Sequence, residues 1–127
     1  MTHDEVQQWL DRYVDAWLSY DAKRIGELFT EDARYRYHPW DDADETVSGR
    51  GQIVANWLAH RDRPDSWAAE YHPWVTGGGD AVAVGVSRYL DPDGLTVESE
   101  YHNVFLCRFD ADGRCTEFTE YYMRRPD

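Results

Sequence analysis

The chain has 127 residues, and its 25 acidic residues against 13 lysines and arginines give a formal net charge of −12. This length corresponds to about one domain and suffices to bury a hydrophobic core without a disulfide or a metal. The acidic balance argues against nucleic acid and anionic membranes as partners, because both require basic surfaces. No apolar run approaches the ~20 residues of a membrane span, and no secretion signal is recognisable at the start, so we expect a cytoplasmic protein.

Three helices are predicted in the first half of the chain. Thr2 and Glu5 form a capping box ahead of apolar residues at helical spacing, which predicts a helix over residues 3–19. Asp21 has the side chain that helix N-caps prefer, and it begins a short second helix. Apolar residues at helical spacing predict a third helix over residues 49–60.

The rest of the chain is predicted to form strands. One short strand falls between the second and third helices, and four longer ones follow the third helix, separated by turns rich in glycine and aspartate. The five predicted strands cover residues 33–38, 67–75, 81–90, 96–109 and 114–123. Helices followed by consecutive strands indicate an α+β fold, with three N-terminal helices on one face of a strongly curved, mostly antiparallel sheet.

The last two predicted strands carry an inward face that is too polar for an ordinary dry core. Alternation along the first of them places Asn103 on the same face as Phe105, and alternation along the second places Phe118, Glu120 and Tyr122 together. Burying Glu120 without a partner would cost several kcal/mol. This face therefore predicts a pocket for a small ligand that has an apolar body and a polar group.

Most of the polar candidate residues also have a purely structural interpretation, which the sequence leaves open. Glu120 could pair with an arginine such as Arg88, and His72, which precedes a proline, could bond only to backbone at a bend. Asp21 is in the first place a helix cap, and Tyr13 lies in the apolar stripe of the first helix. Asn103 needs hydrogen-bond partners on an inward face in either case.

Cysteines and histidines are present, but their spacing does not predict a metal or redox centre. Cys107 and Cys115 fall diagonally on neighbouring strands, and we interpret them as free core residues in a reducing compartment, with a redox pair as the alternative. The motif Tyr-His-Pro-Trp occurs at residues 37–40 and 71–74, and Tyr-His recurs at 101–102. No compact ligand pair results from this spacing, so we expect no metal site.

The predicted strand over residues 81–90 carries apolar side chains on both of its faces. Val82, Val84 and Val86 share the face opposite to the inward one. An apolar outer face on a sheet indicates a second covered surface. A homodimer is the simplest arrangement that covers it.

Several motifs together resemble a known superfamily. They are Arg-Tyr-Val-Asp-Ala at 12–16, Ile-x-x-Leu-Phe-Thr-Glu-Asp-Ala at 25–33, Gly-Arg-Gly at 49–51, and the segment from Tyr-His-Asn to Glu-Tyr-Tyr at 101–122. With these motifs the whole chain, residues 1–127, resembles the nuclear transport factor 2-like superfamily, and within it the SnoaL-like group, which includes polyketide cyclases. The resemblance implies a single domain folded as a cone-shaped α+β barrel. It implies less about chemistry, because this fold carries both enzymes and inert binding proteins.

Enzymes of the superfamily suggest roles for single residues. Tyr13 falls where ketosteroid isomerase has its oxyanion-hole tyrosine. The position of that enzyme's catalytic aspartate is His38 here, and the position of its second acid is Phe105. Both departures argue against steroid isomerisation.

Two other enzymes of the superfamily match at further positions. Asp21, Tyr37, His72 and Asn103 resemble residues of the scytalone dehydratase site. Limonene epoxide hydrolase has an aromatic residue and an acid where Phe118 and Glu120 stand. The sequence contains no nucleophile or cofactor motif, so we expect any reaction to be cofactor-free acid–base chemistry.

The sequence leads to two main functional hypotheses. The first is a cofactor-free acid–base enzyme, a lyase, isomerase or cyclase acting on an apolar cyclic substrate. In this enzyme His72 transfers the proton, Asp21 orients the His72 ring and Tyr37 polarises the substrate. The second is a non-catalytic binding or carrier module for an apolar small molecule, and a weaker third is a dimerising module with a vestigial cavity. The residues expected to bind the ligand are Tyr13, Asn103, Phe118, Glu120 and Tyr122.

Overall fold

The computed structural model describes all 127 residues and contains three helices and six strands in one sheet. The helices are α1 (His3–Ser19), α2 (Ala22–Glu27) and α3 (Arg50–Ala59). The strands are β1 (Phe29–Arg36), β2 (Val47–Ser48), β3 (Trp67–Gly77), β4 (Asp80–Leu90), β5 (Val97–Phe109) and β6 (Cys115–Arg124). This content confirms the predicted α+β class and the three predicted helices.

The sheet has the order β2-β1-β6-β5-β4-β3, and every neighbouring pair is antiparallel except β1 with β6. Strands β3 to β6 form a meander. Strand β1 pairs in parallel with β6, the last strand of that meander. The sheet curls around the helices, which confirms the predicted strongly curved, mostly antiparallel architecture. Its concave face holds the core at one end and a cavity at the other.

Helix α1 links these two ends. Its N-terminus is closed by the predicted capping box, in which Glu5 N donates to Thr2 Oγ1 at 3.1 Å and Thr2 N donates to Glu5 Oε1 at 3.0 Å. Farther along, Trp9 is fully buried, and its indole N–H donates to the Leu28 carbonyl at 3.0 Å. The first half of α1 therefore fills the core, while its second half, beginning at Tyr13, faces the cavity.

The meander is closely packed where β3 passes β4. Gly85 pairs with Tyr71 on one side and with Asn103 on the other. A Cβ at Gly85 would lie 2.8 Å from Tyr71 Cα and still closer to the Glu70 carbonyl oxygen. Only glycine allows this approach, and with it the hydroxyl of Tyr71 bonds to Ser87 on the same face of β4.

The two cysteines have the burial predicted for them, whereas the cover predicted for the outer sheet face stays a prediction. Cys107 and Cys115 are both buried in the core. On the outer face, Val82, Val84 and Val86 are half-buried side chains with no helix over them. None of the three helices has the length and apolar character needed to cross a membrane.

Candidate functional site

A cavity of about 780 Å³ lies between α1, α3 and the concave face of the sheet. Its size falls within the range of small-molecule sites. Ten of its eighteen lining residues are aromatic: Tyr13, Trp17, Tyr20, Tyr35, Tyr37, Trp57, Tyr71, Tyr89, Tyr101 and Tyr122. The other eight are polar: Asn56, His60, Asp62, Ser87, Glu98, Ser99, Asn103 and Glu120. The lining includes three carboxylic acids but no lysine, no arginine and no aliphatic side chain.

A chain of hydrogen bonds joins residues on four neighbouring strands, β3 to β6, and ends at Glu120. Asn103 Nδ2 donates to Glu120 Oε1 at 3.0 Å, and Ser87 Oγ donates to Asn103 Oδ1 at 2.9 Å. The hydroxyl of Tyr71 bonds to Ser87 Oγ. Because Ser87 has one proton and gives it to Asn103, Tyr71 is the donor in that bond. All donors thus point toward Glu120, and the register that aligns them is the one that Gly85 permits.

The position of Glu120 changes its acidity. Burial raises the pKa of the Glu120 carboxyl to about 7, against the opposing effects of the Asn103 hydrogen bond and of the charge on His38. No arginine compensates for this burial, since Arg88 pairs instead with Glu100 at 2.9 Å. The structural interpretation in which Arg88 neutralises Glu120 is therefore wrong, because the register places Arg88 directly opposite Glu100.

A pair of buried tyrosines, Tyr13 and Tyr35, forms part of the cavity wall. The hydroxyls of Tyr13 and Tyr35 are 2.8 Å apart, and burial raises both pKa values well above the usual value of tyrosine. Both hydroxyls therefore stay protonated. One of the two protons forms the hydrogen bond between Tyr13 and Tyr35, and the other is available to a ligand. Phe118 lies behind this wall, stacked on Tyr35 at 4.5 Å and on Tyr13 at 5.5 Å between ring centroids.

A second polar group faces the cavity at the end of α1. Asp62 Oδ2 accepts from Trp17 Nε1 at 2.9 Å and from the Tyr20 hydroxyl at 3.3 Å. The rings of Trp17 and Trp67 stack with their centroids 3.5 Å apart, which fixes the indole that binds Asp62. Asp62 Oδ1 accepts no hydrogen bond from the protein, so it is open to a ligand.

His38 is not part of the cavity lining, but it contacts Tyr122, which is. Its Nδ1 lies 3.0 Å from Asp41 Oδ1, and its Nε2 lies 3.2 Å from the hydroxyl of Tyr122. The backbone N–H groups of Tyr37 and His38 also donate to Asp41 Oδ2, at 3.1 and 3.3 Å. Asp41 and the Tyr122 hydroxyl therefore fix the orientation of the His38 ring from its two nitrogens.

The other two histidines of the repeated Tyr-His motif lie away from the cavity. His72 is exposed on the outer face of β3, and His102 is exposed beside Glu100, with 3.0 Å between Nε2 and Oε2. No group of three or more histidine, cysteine or acidic side chains is arranged to hold a metal ion.

The structure contradicts the predicted acid–base pair of His72 and Asp21. Neither residue lines the cavity. Tyr71 points inward on β3, so alternation turns His72 outward. Asp21 is an exposed helix cap whose Oδ1 accepts from Arg24 N at 3.1 Å.

Most of the other predicted site residues do meet in the cavity. Tyr13, Tyr37, Asn103, Glu120 and Tyr122 all line it. Phe118 does not, because it is fully buried behind the tyrosine wall and supports that wall instead. Whether these residues bind or catalyse stays a prediction.

Sequence reasoning missed Ser87 and Asp62. Ser87 could have been found, because it follows Ala83 and Gly85 on the inward face of β4. Asp62 follows the end of α3 in a loop, where no periodicity indicates the direction of a side chain.

Comparison with known protein families gives one match that covers most of the chain. Residues 10–118 match the family model described as a SnoaL-like domain. No curated protein matches the sequence.

Solved structures of the same architecture are numerous, and three illustrate the likeness. A candidate ketosteroid isomerase from Kribbella flavida has a TM-score of 0.69 at 15% identity, covering 98% of this chain and 82% of that one. An NTF2-like protein of unknown function from Burkholderia xenovorans has a TM-score of 0.70 at 15% identity, with 98% and 87% covered. Another NTF2-like protein of unknown function, from Cytophaga hutchinsonii, has 0.65 at 14% identity, with 92% and 98% covered. At these identities the likeness establishes the fold alone.

Proposed function

We propose that this chain, which belongs to the SnoaL-like domain family of NTF2-like proteins, is a cofactor-free acid–base enzyme of the isomerase or lyase type. Its substrate is a cyclic molecule with a carbonyl group, of a size that fits the cavity of about 780 Å³. The single observation that carries the proposal is Glu120, a cavity carboxyl whose pKa burial raises to about 7. A carboxyl with that pKa exchanges protons at neutral pH, which is what general acid–base catalysis requires.

The proposed reaction begins with removal of a proton from the carbon next to the carbonyl. Glu120 accepts that proton, and the negative charge that develops moves to the carbonyl oxygen. The free proton of the Tyr13–Tyr35 pair donates a hydrogen bond to this oxygen, and both phenols stay neutral because burial raises their pKa values. Glu120 then returns the proton to another carbon, as in an isomerase. In a lyase it instead passes the proton to a leaving group, which departs from the neighbouring carbon with the electron pair of its bond as the enolate becomes a conjugated double bond.

A non-catalytic binding protein is the second candidate, and one observation favours it. No buried side-chain nitrogen or oxygen lacks a hydrogen-bond partner. The buried polar groups around the cavity are thus held in place by protein partners, as expected of a preformed binding site. Binding of a cyclic ketone without any Glu120-dependent turnover would select this candidate.

Proton exchange provides a test that does not require the natural substrate. We expect the wild-type protein, in D2O with a panel of cyclic ketones, to catalyse deuterium incorporation beside the carbonyl of at least one member, measured by NMR. Glu120→Gln keeps the shape of the side chain but cannot accept the proton, so exchange should slow by at least about 10²-fold. The wild-type rate should rise with pH through about 7, as Glu120 loses its proton.

Two variants serve as controls for this test. Glu31→Gln removes an exposed carboxyl on β1, and His72→Ala removes the histidine on the outer sheet face. Both should retain the full exchange rate. An equal rate in the wild-type protein and in Glu120→Gln would contradict the role of Glu120.

The proposal includes a homodimer that acts in the cytoplasm. The half-buried Val84 lies between Val104 and His72 in register, and Tyr121 follows Val104 on β6 at 43% exposure. Such an apolar surface favours a two-fold contact between identical sheets. Reducing conditions in the cytoplasm suit two buried thiols that carry no disulfide.

Light scattering tests the dimer. We expect the wild-type protein to have twice the chain mass at tens of micromolar, and Val84→Arg, which places a charge in the centre of the face, to have the mass of one chain. Leu95→Arg, at an exposed position in the β4–β5 turn, is the control and should remain dimeric. A wild-type mass of one chain would contradict the proposal.

A further inference from the structure

The cavity has an unusual balance of charge for a site that would hold a neutral apolar molecule. Its lining contains the carboxyl groups of Asp62, Glu98 and Glu120, and no lysine or arginine compensates for them. The whole chain carries a net charge of −12, which adds a negative field around the opening. A cationic ligand is attracted by both, whereas an anionic one is repelled.

The apolar part of the lining has the same preference. It consists entirely of tyrosines and tryptophans. Aromatic faces carry negative potential and attract cations, whereas aliphatic side chains offer a ligand only burial. A cavity that selected for apolar shape alone would have no reason to exclude leucine, isoleucine and valine.

The protein itself places a cation on one of these rings. The guanidinium carbon of Arg61 lies 5.6 Å from the ring centroid of Tyr20. Arg61 is not part of the cavity lining, while Tyr20 is. The ring of Tyr20 therefore already acts as a cation-binding surface.

The corner of the cavity at Asp62 combines a carboxyl group with aromatic rings. Asp62 is held through Oδ2 by Trp17 and Tyr20, which leaves Oδ1 free to face a ligand. Burial raises the pKa of the Tyr89 hydroxyl, and the charges of Asp62 and Glu120 both raise it further. The two carboxyl groups therefore act on one cavity. A ligand anchored at Asp62 can extend across Tyr89 toward Glu120.

We propose that the ligand is an organic cation, a protonated amine or quaternary ammonium on a cyclic body, with its charged head against Asp62 and the rings of Trp17 and Tyr20. This inference rests on the proposed function only in assigning the other end of the ligand to Glu120. The cationic head supplies affinity, and the cyclic body presents its reactive carbon to the carboxyl at the far end.

A pair of probes with the same shape and different charge tests the inference. (4-Hydroxyphenyl)trimethylammonium and 4-tert-butylphenol differ chiefly in the quaternary nitrogen that replaces a carbon. We expect calorimetry to show that the wild-type protein binds the cation at least about 10-fold more tightly, from the combined attraction of the rings and the carboxylate. Equal or weaker binding of the cation would overturn the proposal.

Variants locate the charged head. Asp62→Asn should weaken binding of the cation by about 10-fold and leave the affinity for 4-tert-butylphenol unchanged, which also confirms that the variant folds. Asp44→Asn removes the same charge from an exposed loop and should change neither affinity. Equal effects of the two substitutions on the cation would overturn the assignment to Asp62.

The outcomes separate this inference from the proposed function. Cation preference that depends on Asp62, without any Glu120-dependent proton exchange, supports the ligand class and counts against the enzyme. Glu120-dependent exchange on neutral ketones without cation preference supports the enzyme and overturns the ligand class.

Discussion

We expect Glu120→Gln to be about 3 kcal/mol more stable than the wild-type protein at pH 8 and about equally stable at pH 4. Burial raises the pKa of Glu120 from an ordinary 4.5 to about 7. Each pKa unit of difference between the folded and unfolded states corresponds to about 1.4 kcal/mol. Glutamine retains the oxygen that accepts the hydrogen bond of Asn103, and it carries no charge that burial could penalise.

The direction of this effect follows from proton binding. Below pH 4.5 both states of the wild-type protein hold the proton, so the substitution changes little. Between about 4.5 and 7 the folded state keeps the proton while the unfolded state loses it, so the free energy of unfolding falls as pH rises. Above about 7 both states are ionised, and the wild-type protein carries the full cost of a buried charge.

Urea unfolding at pH values from 4 to 8 measures this difference. Glu31→Gln, at an exposed position on β1, is the matched control and should follow the wild-type curve at every pH. A stability difference between Glu120→Gln and the wild-type protein that does not change with pH would mean that Glu120 has an ordinary pKa. In that case the main support for its catalytic role would be lost.

The inward position of Glu120 could be predicted from the sequence, but its partner could not. Alternation along two neighbouring strands suffices to place Glu120 and Asn103 on one face. The choice between Asn103 and Arg88 depends on register, which is set by turn geometry and by bulges. In the structure, register pairs Arg88 with Glu100 and leaves Glu120 to the amide.

The same limit explains the error at His72. Tyr71 and His72 both suit either face of a strand, so the parity of β3 is ambiguous when that strand is considered alone. The tight approach of Gly85 to Tyr71 decides it, because that contact crosses between two strands. Local sequence patterns do not contain such a contact.

Local signals did determine the helices. The capping box at Thr2 and the N-cap at Asp21 act within one turn of the chain, and both helices begin where these residues predict. Strand β2 escaped prediction because two residues cannot show alternation. Strand β1 begins four residues before its predicted start, since a register irregularity between Phe29 and Arg34 interrupts the pattern.

The largest loss of stability should follow from Phe118→Ala. Phe118 is completely buried, and it stacks on Tyr35 and Tyr13 at 12° and 15° between ring planes. Removing a buried aromatic ring forfeits its burial and leaves a cavity, at a typical cost of about 3–5 kcal/mol. We expect that loss in urea unfolding at pH 4, where Glu120 holds its proton in both the folded and the unfolded state.

Two further variants show whether the loss arises from the tyrosine wall. Phe118→Leu keeps most of the buried volume and should cost less than half as much, while Leu95→Ala, at 85% exposure, should cost almost nothing. If Phe118 only fills space, a ketone substrate should bind Phe118→Leu and the wild-type protein alike. If it holds the Tyr13–Tyr35 pair in position, Phe118→Leu should also slow the proton exchange assigned to Glu120, because the hydrogen bond to the developing oxyanion depends on that pair. A Phe118→Ala variant that loses less than about 1 kcal/mol would contradict the packing on which both expectations rest.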